Sequence, residues 1–168
     1  MDQEKLQVLE ASGIPFHAAG TLSDEGAKWF REYIKNHACK VESEWDIKAV
    51  ERRVKTKLPK SYLDFVAKVG PVAFENIDEQ EGFTASILPP DKLAIEEGYE
   101  DEFEDEESKA VNGLTFATTG HGDCFCFDVQ KGKKEFPVVL YKHEGNFFEP
   151  YAENFAACIK RFAGGGDG

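Results

Sequence analysis

The chain has 168 residues and a formal net charge of −12 at neutral pH. That length is typical of one domain, and 41% hydrophobic residues argue against a disordered chain. A strongly acidic protein repels phosphate groups, so the charge argues against nucleic-acid binding and favours a basic protein as the partner. No apolar run approaches the length of a transmembrane helix.

The cysteines and the N-terminus predict a reduced, cytoplasmic protein. The four cysteines are Cys39, Cys124, Cys126 and Cys158, and their spacing is not that of a disulfide framework or of paired Cys-x-x-Cys motifs. The first residues lack the basic and apolar segments of a secretory signal. We therefore expect free thiols and a cytoplasmic location.

The first part of the chain has helical periodicity. Ser23 and Ser43 are suited to N-cap two of the helices, and Pro59 is suited to the first turn of another. Gly70 followed by Pro71 marks the end of that helix. The predicted helices are 3–11, 24–38, 44–56 and 59–70.

After Gly70 the pattern changes to short alternating strands, and a helix closes the chain. One or two helical turns are expected at 91–97, and a hairpin turn at 131–134. This order indicates an α+β fold with a mostly antiparallel sheet of five to six strands flanked by helices. The predicted strands are 72–74, 83–87, 114–118, 124–129 and 137–143, and the closing helix is 151–162.

One glycine-rich turn followed by an alternating strand is the most distinctive segment of the chain. The turn is Gly120–Asp123, and the strand is Cys124–Asp128. Alternation along a strand places Phe125 and Phe127 on one face and the two cysteines on the other. We expect the phenylalanine face to belong to the core.

The order of motifs from Ser43 onward resembles the SUKH superfamily, the family of yeast cell-wall synthesis and killer-toxin-resistance regulators and of many bacterial immunity proteins. Val69 stands where the family usually has Asn, and residues 1–40 and 96–107 lie outside the pattern. The matching motifs, in chain order, are Leu58-Pro59 with Tyr62 and Phe65-Val66, the helix-ending Gly70, Gly122-Asp123 with Phe125 and Phe127-Asp128, Pro137-Val138-Val139 with His143-Glu144, and Asn154-Phe155.

The resemblance implies a cytoplasmic binding domain without catalytic activity, which in bacteria commonly neutralises a toxin. It divides the chain into an N-terminal helical extension over 1–42, a SUKH-like domain over 43–163 and a flexible tail over 164–168. We expect an immunity-type protein that occludes a cognate toxin domain, such as a basic nuclease. The alternative is an intracellular adaptor or regulator that uses the same surface.

Enzymatic alternatives centre on a polar cluster. His121, Asp123, His143 and Glu144 have the donor types of a metal site, which would support a metal-dependent hydrolase. A cysteine paired with a histidine could also act as a nucleophile. The simpler interpretation is a polar turn in which Asp123 caps backbone N–H groups, with the cysteines buried. We therefore predict no catalytic residue, no metal and no cofactor.

The partner-binding site is predicted in an acidic segment. Residues 96–107 contain nine carboxylates in twelve residues, together with two aromatic residues at helical spacing. Charge would steer a basic partner, and the aromatic side chains would anchor it. The alternatives are a solvated loop, or aromatic anchors among Phe147, Phe148 and Tyr151. The predicted binding residues are Tyr99, Glu100, Asp101, Glu102, Phe103, Glu104 and Asp105.

Overall fold

A computed structural model describes residues 24–38, 45–99 and 110–164. Within these ranges, none of the helices has the length and apolar character needed to cross a bilayer. Several predictions lie outside the described residues: the helix 3–11, the caps Ser23 and Ser43, Cys39, the acidic residues 100–107 and most of the tail 164–168.

The described residues form four α-helices. Asp46 Oδ1 accepts a hydrogen bond from Ala49 N (3.1 Å) at the start of the second helix, and Asn154 Oδ1 accepts one from Ala157 N (2.8 Å) at the start of the fourth. Two short 3₁₀ turns lie at Ile77–Glu79 and Pro90–Lys92. The helices are α1 (Asp24–His37), α2 (Ile47–Val54), α3 (Lys60–Lys68) and α4 (Phe155–Phe162).

A seven-stranded sheet accompanies these helices, so the fold is α+β as predicted, with a larger sheet than expected. Every strand pair is antiparallel except β3 with β7, which meet at Tyr99 and Phe147. The order is β1-β2-β4-β3-β7-β6-β5, and β4 also pairs with β5, which closes β3 to β7 into a ring. The strands are β1 (Ala73–Phe74), β2 (Ala85–Ile87), β3 (Ala94–Tyr99), β4 (Ala110–Thr118), β5 (Cys124–Asp128), β6 (Val138–Lys142) and β7 (Phe147–Ala152).

The two faces of β5 belong to two different cores, as its alternation predicts. Phe125 and Phe127 are fully buried in the main core between sheet and helices. Cys124 and Cys126 lie in a smaller apolar cluster with Tyr141 and Phe148. The ring of strands is therefore filled on its second face by two cysteine and two aromatic side chains.

Phe155 of α4 lies at the centre of the main core. Its ring is 5.4 Å from that of Phe116 and 5.6 Å from that of Phe65, both edge-on. Helix α1 packs on the same core through Phe30, 6.1 Å from Phe155. Tyr62 of α3 is also buried there and donates its hydroxyl to Leu88 O (2.6 Å).

Two predicted elements are wrong. The segment 91–97 holds one 3₁₀ turn, but from Ala94 it is strand β3, because pairing with β4 outweighs the weak strand propensity of its glutamates. The closing helix starts at Phe155 and not at 151, because β7 continues to Ala152. Pro150, exposed within β7, obscured this strand in the sequence.

Candidate binding surfaces

The predicted acidic site begins on strand β3. Tyr99 is its last residue and pairs directly with Ala110 of β4, so residues 100–109 join two adjacent antiparallel strands. Tyr99 is half-buried and extended, so the helical spacing assumed between it and Phe103 does not hold at Tyr99. The other six predicted binding residues, Glu100 to Asp105, lie outside the described residues.

The exposed part of β3 combines an apolar side chain with carboxylates. Ile95 retains 48% of its surface and is the large hydrophobic residue left exposed in the described part of the chain. Glu97 is exposed beside it, and Glu96 is half-buried on the opposite face. Exposed apolar residues that are surrounded by polar residues mark interaction sites. In the sequence, this surface is indicated by an isoleucine directly before two glutamates.

Close backbone contacts hold the end of β3 in the ring. Tyr99 N donates to Asn146 O (3.0 Å), which joins β3 to the turn before β7. A Cβ atom on Gly98 would lie 3.0 Å from Tyr141 Cε1, and a Cβ atom on Gly113 would lie 2.7 Å from Cys126 Cβ. Glycine is therefore favoured at both positions, because a larger residue would collide with the side chains that fill the ring.

A polar cleft of about 400 Å³ forms a second candidate surface, at the ends of β5 and β6. It carries carboxylates and cations side by side, so it suits polar recognition. Its charged and polar lining includes Asp78, His121, Asp123, Lys142, Glu149 and Arg161.

Asp123 organises the rim of this cleft. Its Oδ1 accepts hydrogen bonds from His143 N (3.0 Å) and lies 2.7 Å from His143 Nδ1, while Lys142 Nζ is 3.8 Å from its Oδ2. Burial alone would raise the pKa of Asp123, but the His143 hydrogen bonds and the Lys142 charge lower it below its ordinary value. The His143 ring lies against Gly122, whose φ of +95° favours glycine.

The floor of the cleft is held by Arg161, which the sequence did not single out. Its guanidinium carbon lies 3.7 Å from the centre of the Tyr151 ring, and its Nε donates to Asp78 Oδ1 (2.8 Å). The Tyr151 hydroxyl donates to Asp78 as well (3.0 Å). Arg161 and Asp78 are 83 positions apart, so no local spacing indicates this pair.

The two enzymatic alternatives depend on residues that the structure describes. Of the four residues considered for a metal, Asp123 and His143 meet, but no group of three or more metal-ligating side chains converges among the described residues. Cys126 Sγ lies 3.4 Å from Thr115 Oγ1, and Cys124 and Cys126 share one apolar cluster. Hydrogen bonding with Cys124 and burial raise the pKa of Cys126, which opposes thiolate formation.

The aromatic residues after β6 are mainly structural. Phe148 and Tyr151 are buried, and Phe147 is half-buried. The Phe148 ring packs 5.0 Å from that of Tyr141, and the Tyr151 ring packs 4.7 Å from that of Phe125. These contacts place Phe148 and Tyr151 in the protein interior, which leaves the β3 surface and the cleft as the candidate surfaces.

The sequence of residues 42–161, well over half of the chain, matches the family model of the SMI1/KNR4 family (SUKH-1). The chain belongs to the SMI1/KNR4 family. The match spans α2 to α4 and the whole sheet. SUKH domains are generally immunity domains without catalytic activity. Neither a curated protein nor a solved structure matches the chain.

Proposed function

We propose that this protein is a cytoplasmic immunity protein that neutralises a cognate toxin domain by binding and occluding it. The observation that carries the proposal is the exposed β3 surface, where Ile95 stands among carboxylates at the start of the acidic segment. Membership of the SMI1/KNR4 family supports it. The toxin domain is basic, as expected of a nuclease that binds the phosphate backbone of its substrate.

Charge and apolar contact have separate roles in this proposal. A net charge of −12 attracts a basic domain over distances near the Debye length and speeds association. Exposed carboxylates alone hold a complex weakly, because water and salt screen them. Ile95, and the predicted anchors Tyr99 and Phe103, would prolong the complex by excluding water.

The cytoplasmic location is supported by the thiols. Cys124, Cys126 and Cys158 are free and buried. A buried thiol behaves as a small apolar residue, and the reducing cytoplasm keeps the thiol from being oxidised.

Capture of the partner, followed by an activity assay, tests the proposal. Tagged protein is used to recover its partner from cells of its own source, and the identified domain is then purified separately. Titration with the immunity protein should abolish the enzymatic activity of that domain once the two proteins are present in a one-to-one ratio. The affinity of the complex should fall as the salt concentration rises. A partner that binds but keeps full activity would show an adaptor instead.

A further inference from the structure

Among the described residues, strand β3 has an open backbone edge at Ile95 and Glu97. In an antiparallel pair, alternate residues direct both their N–H and C=O groups toward the partner strand. Tyr99 N donates to Asn146 O, away from β4, so Ile95 and Glu97, two and four positions earlier, also point their backbone groups away from β4. No described strand pairs with Ile95 or Glu97 on that side, because β7 meets β3 at Tyr99 alone.

The side chains along this edge define what it can accept. Ile95 and Glu97 project to the same face and are both exposed, so the edge presents one apolar and one anionic position in succession. Glu96 adds further negative charge on the opposite face of the strand. An edge of this kind complements a strand that has an apolar residue and a basic residue two positions apart, and therefore on the same face.

We propose that the edge of β3 receives an extended segment of the basic partner, which adds to the sheet as an extra strand. This rests on the proposed function and names how the partner is held. The N–H and C=O groups of Ile95 and Glu97 would bond to the partner's backbone, and its side chains would contact Ile95 and neutralise Glu97.

A second copy of this chain does not suit the same edge. Two β3 strands paired side by side would bring Glu96 and Glu97 of one copy close to those of the other. Like charges opposite one another destabilise a strand pair, and charged residues on an edge are a common guard against self-association. The charge that disfavours self-pairing favours a basic segment.

A peptide probe tests the edge without needing the partner. The probe is a short acetylated peptide of the repeat Val-Thr-Lys-Thr, which places valine and lysine in turn on one face of an extended strand. The control peptide has the same sequence with alternate amides N-methylated. N-methylation keeps the charge and removes backbone donors. The unmodified peptide should bind and slow hydrogen exchange at the amides of Ile95 and Glu97, while the amide of Glu96, which faces β4, should stay protected throughout.

Two substitutions at one position separate backbone pairing from charge. Glu97→Pro removes an outward N–H that the β3–β4 ladder does not use, and proline is tolerated on such an edge. It should lower the affinity for the peptide about tenfold or more. Glu97→Gln, which keeps the N–H group, should lower that affinity only about threefold. Unchanged protection at Glu96 shows that Glu97→Pro has folded.

Each result bears on the proposal. Equal binding of the two peptides, absence of binding, or binding without slowed exchange at Ile95 and Glu97 would each overturn it. Failure of the proposed function has a different signature, which is a captured partner that keeps its activity in the complex. If that partner is neutralised equally well by the parent and by Glu97→Pro, the function stands and the β3 edge is not the site.

Discussion

Glu135 accepts two hydrogen bonds from Ser61, a residue 74 positions earlier in the chain. Ser61 N donates to Oε2 (3.2 Å) and Ser61 Oγ donates to Oε1 (2.6 Å). Pro59, at the N-cap of α3, supplies no side-chain acceptor, so Glu135 from the β5–β6 connection takes that role. The contact fastens the sheet to the first turn of the helix.

Glu135 makes stability depend on pH. Burial raises its pKa to about 7, against the lowering effect of the Ser61 hydrogen bonds. The folded state therefore holds a proton that the unfolded state has already released between about pH 4.5 and 7. The free energy of unfolding that Glu135 contributes is greatest below about pH 4.5. It falls by up to about 3 kcal/mol as the pH rises to about 7 and above.

Glu135→Gln should remove this dependence. Its carbonyl can accept from Ser61 N and its amide can donate to Ser61 Oγ, as the protonated acid would. Urea unfolding at several pH values should show the variant more stable than the parent at pH 8, with the difference vanishing below about pH 4.5. Parallel curves for the two proteins would contradict the assignment of the raised pKa to Glu135.

Truncating the phenylalanine face of β5 should cost much of the fold's stability. Phe127 stacks 4.3 Å from Phe116, and Phe125 lies 4.9 Å from Phe162, with both side chains fully buried. Phe125→Ala or Phe127→Ala should lower the free energy of unfolding by about 3–5 kcal/mol. Ile95→Ala, an exposed apolar truncation, is the control and should change it by less than about 0.5 kcal/mol. Equal melting temperatures for all three would refute the core placement.

Gly113→Ala should destabilise the ring of strands. The added methyl group would lie 2.7 Å from Cys126 Cβ and 2.9 Å from Phe148 Cε1, so the second core must shift, at about 1–3 kcal/mol. Gly120→Ala is the matched control, because its methyl group meets no atom within 4 Å. Thermal unfolding compares the two variants, and equal stabilities would show that crowding at Gly113 does not destabilise the ring.

Cys124 should be the most reactive of the described thiols in the folded protein. It keeps 9% of its surface while Cys126 and Cys158 keep none, and the hydrogen bond with Cys126 lowers its pKa. Brief alkylation followed by peptide mapping should label Cys124 first. Faster labelling of Cys158 would mean that α4 opens more readily than the ring of strands.

The acidic segment should control the rate at which the partner binds. Neutralising Glu100, Asp101, Glu102, Glu104 and Asp105 should slow association and reduce its salt dependence without destabilising the fold. Binding kinetics at low and high salt against the captured partner measure both effects.

Replacing the aromatic residues should act differently. Tyr99→Ala and Phe103→Ala should mainly increase the dissociation rate, because buried anchors govern residence time. If neither set of variants differs from the parent, the interface must be sought at the cleft near His121 and His143.

The sequence by itself determined the α+β class, the helical start at Pro59 and the two faces of β5. The last two follow from local rules, because proline geometry and strand alternation depend on residues a few positions apart. The family motifs likewise appear in order along the chain.

Tertiary structure alone decided the remaining features. Strand β3 exists because β4 pairs with it, although its glutamates are weak strand formers. Arg161 meets Asp78, and Glu135 meets Ser61, across separations that no periodicity encodes. The open edge at Ile95 and Glu97 also depends on where β7 ends its pairing. Among the described strands, β7 pairs with β3 at Tyr99 and no further, which leaves the backbone groups of these two residues without a partner strand.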